Sequence, residues 1–182
     1  MGRPRVLVLT SMYPVPWNVA HGVFVRDHVA AVVGAGAQAE VVQTVAWVPP
    51  WMGRRRARNH LSAWDPGGAA PVHYATTLRP PWRRFHRLMG PLTLMAVARH
   101  VARIRERFPF DIVHSHEVTP VGLAGVRLAQ RDGVVSVCTA HGSDLNVAPL
   151  ISKACHRQTA FVIENTSQVV AVSNVLARRA RG

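Results

Sequence analysis

Residues 110–146 read FDIVHSHEVTPVGLAGVRLAQRDGVVSVCTAHGSDLN, a strand, a helix and a second strand, with a polar loop after each strand. Asp111 to Ser115 is a short β-branched run behind Pro109. Pro120 to Gln130 is rich in Ala, Leu and Val, starts at proline and is closed by Gly133, the pattern of a helix entered at its first position and left at a glycine. Val134 to Thr139 supplies the second apolar strand. Parallel strands joined by a helix end on one edge of the sheet, and ligands bind outside that edge. The two loops there hold His114, His116, Glu117, Thr139, His141, Gly142, Ser143 and Asp144, so function is expected at this edge.

The rest of the chain repeats the alternation. Arg5 to Thr10, RVLVLT, reads as a buried first strand. Pro14, Pro16 and Asn18 make residues 11–21 a loop, and Gly22 opens a helix in which Val23, Val25, His28, Val29 and Val32 or Val33 recur at helical spacing. Ala39 to Val45 completes a βαβ unit whose crossover should be right-handed. Residues 47–71 form an irregular excursion, with three prolines and three glycines in VPPWMGRRRARNHLSAWDPGG (48–68). Val72 to Thr77 reads as a third strand and Arg79 to Arg87 as a basic-aromatic connector. From Pro91 a long helix carries Leu94, Val97, Val101, Ile104 and Phe108 on one face and Arg99, Arg103 and Arg107 on another. Residues 148–165 read as helix, Gln168 to Val172 as the last strand, and Ser173-Asn174 as the cap of a closing helix. The expected fold is α/β, a Rossmann-like, doubly wound, mostly parallel sheet flanked by helices, in one domain over 1–182. Neither G-x-G-x-x-G after the first strand nor G-x-x-x-x-G-K-[ST] occurs, so the usual dinucleotide and P-loop signatures are not met.

A chain of 182 residues with 48% hydrophobic content can bury an ordinary globular core. Its apolar runs are broken every few residues, well short of a bilayer span, and the short N-terminal apolar run suits a first strand better than a signal peptide. Cys138 in a strand and Cys155 in a helix, with no C-x-x-C, fit reduced thiols of a cytoplasmic protein. The net charge of +13 is carried almost wholly by arginine. Twelve Arg lie between Arg54 and Arg107 against Asp65 and Glu106 alone, and Trp47, Trp51, Trp64 and Trp82 fall in or beside that stretch. Arg interleaved with Trp over 47–87 suits an anionic membrane surface, here the inner face, and equally a solvated basic loop. Without helix-turn-helix, zinc-finger or RNA-binding strand patterns, no specific nucleic-acid partner is expected. A non-catalytic basic Rossmann-like module, binding an anionic membrane, nucleic acid or a protein, stands as the alternative to an enzyme.

His114 and His116 alternate by two and share a strand face, so with His141 they compose a conceivable three-histidine zinc site. No acidic or cysteine ligand completes it with familiar spacing. Ser143 beside His141 suggests a nucleophile and base, but no G-x-S-x-G elbow accompanies them. His21, His28, His60, His73, His86, His100 and His156 read as surface or packed histidines. Asp144 and Asn146 read equally as turn or cap residues.

Four motifs, taken together and in order, resemble the N-terminal halves of family 4 glycosyltransferases, retaining enzymes of the GT-B fold. They are VLVLTSMYPVPWNVAHGVFVRDHVAAV, FDIVHSHEVTPVGLAGVRLA, TAHGSDLN and SQVVAVSNVLARR, and they are spread along the chain nearly end to end. The resemblance implies two Rossmann-like domains facing a cleft. The N-terminal one mainly holds the acceptor and the other holds a nucleotide-sugar donor, with no metal cofactor. It implies that Gly22, at the start of the first helix, lets backbone approach the donor diphosphate, although this chain has His21-Gly22 where many members have Gly-Gly. A helix N-terminus offers unpaired N–H groups and partial positive charge for that task. It implies a catalytic His141 beside the transferred sugar, with Gly142, Ser173 and Asn174 also on the donor side of the cleft. His114, His116, Glu117, Ser143 and Asp144 fall to the acceptor side. The acidic E-x7-E signature of the family's second domain has no counterpart in these 182 residues. The expectation is therefore an acceptor-side domain without transferase activity of its own, working with a C-terminal donor domain in cis or as a separate chain. The acceptor, lipid-linked or polysaccharide, is not identified.

Overall fold

The computed structural model describes residues 2–47, 61, 67–79 and 83–181. In chain order these form β1 (Arg5–Thr10), α1 (Val23–Gly34), β2 (Gln38–Ala46), β3 (Val72–Thr77), α2 (Met89–Arg107), β4 (Ile112–His116), α3 (Leu123–Asp132), β5 (Val135–Ala140), the short α4 (Ser143–Asn146), α5 (Lys153–Asn165), β6 (Gln168–Ala171) and α6 (Asn174–Arg181). The six strands form one sheet in the order β3-β2-β1-β4-β5-β6, every neighbouring pair parallel. This is the doubly wound Rossmann order, as the alternation of strands and helices predicts.

Strand periodicity divides the core into two layers. Leu7 and Leu9 of β1 turn to the face covered by Val97, Val101 and Ile104 of α2 and by Ala124 and Leu128 of α3. Val6 and Val8 turn to the opposite face, against Val25 and Val29 of α1. A strand buried on both sides must be apolar at every position, which is why RVLVLT shows a run and not an alternation. Each such Leu or Val contributes about 1.5–3 kcal/mol by leaving water. A third cluster joins Val118, Leu123, Cys138, Ala140, Leu145, Val162 and Leu176 under the loops that follow β4 and β5.

Three elements differ from their sequence expectation. The helix expected from Pro120 starts at Leu123 and follows a single wide turn over Val118–Gly122, in which Thr119 is extended at φ −138° and ψ 141°. The residue before proline is driven out of the helical region, and here that effect outweighs the preference for proline at a helix start. The helix expected over 148–165 is broken: a 3-10 turn spans Ala148–Leu150, and α5 begins anew behind Ser152, whose side chain accepts from the Cys155 N–H at 3.2 Å. Serine in that position is a preferred N-cap. Part of the expected connector, Arg83–Leu88, forms a 3-10 segment, and α2 starts at Met89, two residues before Pro91. Most of the Arg/Trp-rich stretch 47–87, including Trp51, Trp64, Trp82 and His60, lies outside the described residues. Among the described residues no helix is long and apolar enough to cross a membrane.

Candidate active site

The strand order reverses between β1 and β4, and the helices that follow them, α1 and α3, cover opposite faces. An open parallel sheet forms its ligand crevice at such a point. Three loops meet there. In the loop after β1, the Ser11 hydroxyl donates to Glu117 Oε2, and the Ser11 carbonyl accepts from His21 Nε2 at 3.1 Å. His21 is thus a strut inside the loop, with its Nε2 protonated. Gly22 is buried and sits at φ 65°, ψ 27° immediately before α1. An added Cβ would lie 2.2 Å from the Met12 carbonyl carbon, so only glycine lets α1 start against residues 12–13.

The second loop follows β4. His114 and His116 stand in register with Val8 and Thr10 of β1, which puts both imidazoles on the α1 face. Their rings stack at 4.6 Å. His28, a partly exposed residue of α1, meets both edge-on at 5.1 and 5.0 Å. His114 Nε2 is 2.8 Å from Thr139 Oγ1, and His116 Nδ1 is 3.1 Å from His141 Nε2. Glu117 then leaves the strand at φ 92°, with its N–H donating to the Thr139 carbonyl at 2.9 Å.

The third loop, after β5, is held by Asp144. Its carboxylate accepts from the Gly142 N–H at 2.7 Å, the Val118 N–H at 2.9 Å and the His141 N–H at 3.2 Å. Only 3% of Asp144 is exposed. One buried carboxylate thereby ties the β4 loop to the β5 loop and fixes the backbone of His141, whose ring stacks on His116 at 5.3 Å and meets Phe24 at 5.0 Å.

Burial sets the protonation of the site. Desolvation, with smaller repulsions from neighbouring imidazoles, lowers His114 to about 4 and His116 to about 2. Desolvation also lowers His28 and His141, the latter opposed by Asp144. All four rings are neutral at neutral pH. Glu117 moves the other way, raised by burial to about 7 despite the Ser11 bond and the charge of Arg79. Burial likewise raises Cys138, which stays a thiol and donates to the Glu117 carbonyl at 3.6 Å. The arrangement offers neutral donors and acceptors for hydroxyl and phosphate oxygens, with one carboxyl poised between its two forms.

Of the residues named from sequence, His21, Gly22, His114, His116, Glu117, His141, Gly142 and Asp144 meet at this edge. Ser143 is the exposed first residue of α4; the His141 ring bonds His116 in place of Ser143, so no nucleophile and base pair forms. Ser173 accepts from the Leu176 N–H at 3.3 Å and caps α6, and Asn174 is exposed beside it. Among the described residues the compact histidine trio is His28, His114 and His116, not the trio with His141. His28, Ser11 and Phe24 were not singled out as site residues. A histidine at helical spacing among Val25, Val29 and Val32 was the available signal for His28.

The sequence profile of Glycosyltransferase Family 4 matches residues 22–182. This chain belongs to that family. A teichuronic acid biosynthesis glycosyltransferase of Bacillus subtilis (strain 168), TuaC, is 26% identical over 185 residues, which cover 97% of this chain and 46% of TuaC. Among solved structures, sucrose-phosphate synthase of Thermosynechococcus elongatus superposes with a TM-score of 0.63 at 13% identity, over 98% of this chain and 45% of that one. UDP-N-acetylglucosamine 2-epimerase of Rickettsia bellii gives 0.58 at 10% identity, over 99% of this chain and 42% of that one. At such identities the two structures share the fold with this family 4 chain. The chain spans less than half the length of each of these relatives.

Proposed function

We propose that this family 4 chain is the acceptor-side domain of a retaining glycosyltransferase, which moves a sugar from a nucleotide-sugar donor to a lipid-linked or polysaccharide acceptor. The donor nucleotide is held by a second domain, supplied in cis or by a separate chain, and transfer requires no metal. The observation that carries this assignment is His141. Its backbone is fixed by Asp144 and its Nε2 bonds His116 Nδ1 at 3.1 Å, at the carboxyl edge of the sheet where the family profile applies.

Tautomers give the bond a direction. His116 Nε2 is buried without a hydrogen-bond partner. An orphaned N–H is the worse tenant of such a place, so the His116 proton sits on Nδ1 and donates to His141 Nε2. His141 Nδ1 then carries its proton free to donate, toward a sugar hydroxyl or the leaving oxygen as negative charge develops there. Gly22 and the N-terminus of α1 face the diphosphate, with His21 bracing the loop. Gly142, Ser173 and Asn174 complete the donor side; His114, His116, Glu117, Ser143 and Asp144 shape or support the acceptor side. The likeness to TuaC, named for teichuronic acid biosynthesis, supports the polysaccharide alternative for the acceptor. Trp47 and Leu78, exposed by 46% and 53% at the carboxyl ends of β2 and β3, suit docking at the cytoplasmic face of an anionic membrane.

The test is sugar transfer by this domain together with its donor domain. His141→Ala should lower kcat by roughly 100-fold or more while leaving the unfolding midpoint near wild type. Wild-type turnover in that variant, or transfer by the 182-residue chain with no second protein, would refute the assignment.

A further inference from the structure

Three imidazoles converge on a point beside the His116–His141 bond that the transfer reading uses. His28 comes from α1, and His114 and His116 from alternate positions of β4. One ring nitrogen from each lies within 4.8 Å of the other two. His114 and His116 are 8% and 1% exposed, and the Nε2 of His116 is buried without a hydrogen-bond partner. If the trio served packing alone, that nitrogen would carry a desolvation penalty with nothing to offset it. The opposite nitrogens of both strand histidines are already held. His114 Nε2 meets Thr139 Oγ1 at 2.8 Å, and His116 Nδ1 meets His141 Nε2 at 3.1 Å. A second group that fixes ring and tautomer is the usual companion of a metal-binding histidine.

We infer that His28, His114 and His116 form a binding site for a divalent transition metal of the zinc class. Neutral imidazoles are the ligand form, and burial keeps these rings neutral at neutral pH. A donor set of three nitrogens and no oxygen selects zinc, cobalt or nickel over magnesium and calcium. Tetrahedral zinc at about 2.0–2.1 Å from nitrogen needs ligand atoms roughly 3.4 Å apart. The trio must therefore tighten, and His28, the partly exposed ligand on the helix, is the one free to move. The fourth position, open beside His28, takes water or an anionic oxygen from the crevice. Because His116 also bonds His141, turnover would not isolate the metal site, so its test is direct binding.

The 182-residue chain is stripped with a chelator and titrated with Zn²⁺ in competition with a chromophoric chelator, with and without millimolar Mg²⁺. The Co²⁺ form is examined by visible absorption. The expected result is one Zn²⁺ per chain, indifferent to Mg²⁺, with an intense tetrahedral Co²⁺ spectrum. His28→Ala should weaken binding by roughly 100-fold or more, and Thr139→Val, which removes the support of His114, by roughly 10-fold. His73→Ala and His156→Ala, on β3 and α5, should bind as wild type. The inference is overturned if Zn²⁺ binding is indifferent to His28→Ala, is lost instead with His73→Ala or His156→Ala, or is displaced by Mg²⁺. Should His28→Ala fail to fold, His28→Gln and the wild-type Co²⁺ spectrum decide. An octahedral spectrum, or none, overturns the inference as surely.

Discussion

Replacing Gly22 by alanine separates two sources of strain, because Gly133 provides an internal reference. Both glycines sit in the left-handed region, at φ 65° and φ 66°. An alanine at either position carries the left-handed penalty of roughly 1–2 kcal/mol. Around Gly133 no atom lies within 4 Å of the added Cβ, so that penalty, partly offset by a stiffer unfolded chain, is the whole effect. At Gly22 the same Cβ would stand 2.2 Å from the Met12 carbonyl carbon, 2.4 Å from its oxygen and 2.6 Å from the Tyr13 nitrogen. All three are backbone atoms, so no rotamer change relieves the clash, and overpacking adds roughly 1–3 kcal/mol or more. Gly22→Ala should cost about 2–5 kcal/mol in all, which for a domain of this size lowers Tm by roughly 4–20 °C. Gly133→Ala should cost about 1 kcal/mol and a few degrees. Urea unfolding with an unchanged slope measures both. Equal losses in the two variants would mean that α1 does not start against residues 12–13. Because α1 also carries Phe24 and His28, Gly22→Ala should disturb the histidine site as well, whereas Gly133→Ala should not.

Protonation supplies a second set of expectations, best measured on chelator-treated protein. Glu117 has its folded pKa raised to about 7 from 4.5. The stability associated with its neutral form is complete below about pH 4.5 and is lost as pH rises through 7, by up to about 3 kcal/mol. Glu117→Gln should abolish that loss, and a variant whose stability still falls between pH 5 and 8 as in wild type would contradict the assigned burial. His114 has the opposite sign. Its folded pKa is lowered to about 4 from 6.5, so stability is present above pH 6.5 and declines by about 3 kcal/mol as pH falls through 4; His114→Asn should blunt the acid limb of the curve. Asp144→Asn retains size but loses the charge that three backbone N–H groups share. It should destabilise by about 2–4 kcal/mol and lower transfer through a displaced His141. Full activity in a stable Asp144→Asn protein would show that the β5 loop holds itself.

The strands were the most legible part of the sequence, because a strand covered on both faces is mainly apolar, and RVLVLT and VVSVCTA show short runs of that kind, the second with Ser136 and Thr139 among its apolar residues. Helix boundaries were less legible where two local signals competed. At Thr119-Pro120 the extended preference before proline prevailed over proline as a helix start, and at Ser152 a capping serine interrupted what composition alone reads as one helix. In the site, His114 and His116 could be paired from their spacing of two. His28 could not, because a histidine on an apolar helix face reads as packing until its partner strand is known. The Ser11 to Glu117 bond joins residues 106 apart in sequence, and no local pattern encodes such a contact. Asp144 was readable as a cap or as an acceptor contact. Its three backbone donors, from both loops, could not be read from sequence.

Charge in this chain is divided by distance. The net charge of +13 acts at long range and favours the approach of phosphate-bearing molecules, within a screening length of about 8 Å at physiological salt. At the crevice itself burial keeps His28, His114, His116 and His141 neutral, so a ligand there would meet directional hydrogen bonds and no extra cationic charge. Protonating two imidazoles stacked at 4.6 Å would set like charges side by side in a poorly solvated place, and desolvation prevents it. Glu117 completes the division. Raised to about 7, it is the carboxyl that an incoming phosphate would push further toward its neutral form, since a second negative charge nearby disfavours ionisation. In that form it donates a hydrogen bond where an ionised carboxylate would repel the anion. Burial thus suppresses the one negative charge in the crevice that would oppose an anionic ligand, keeps His114 and His116 as neutral hydrogen-bonding groups, and leaves attraction to the arginines farther out.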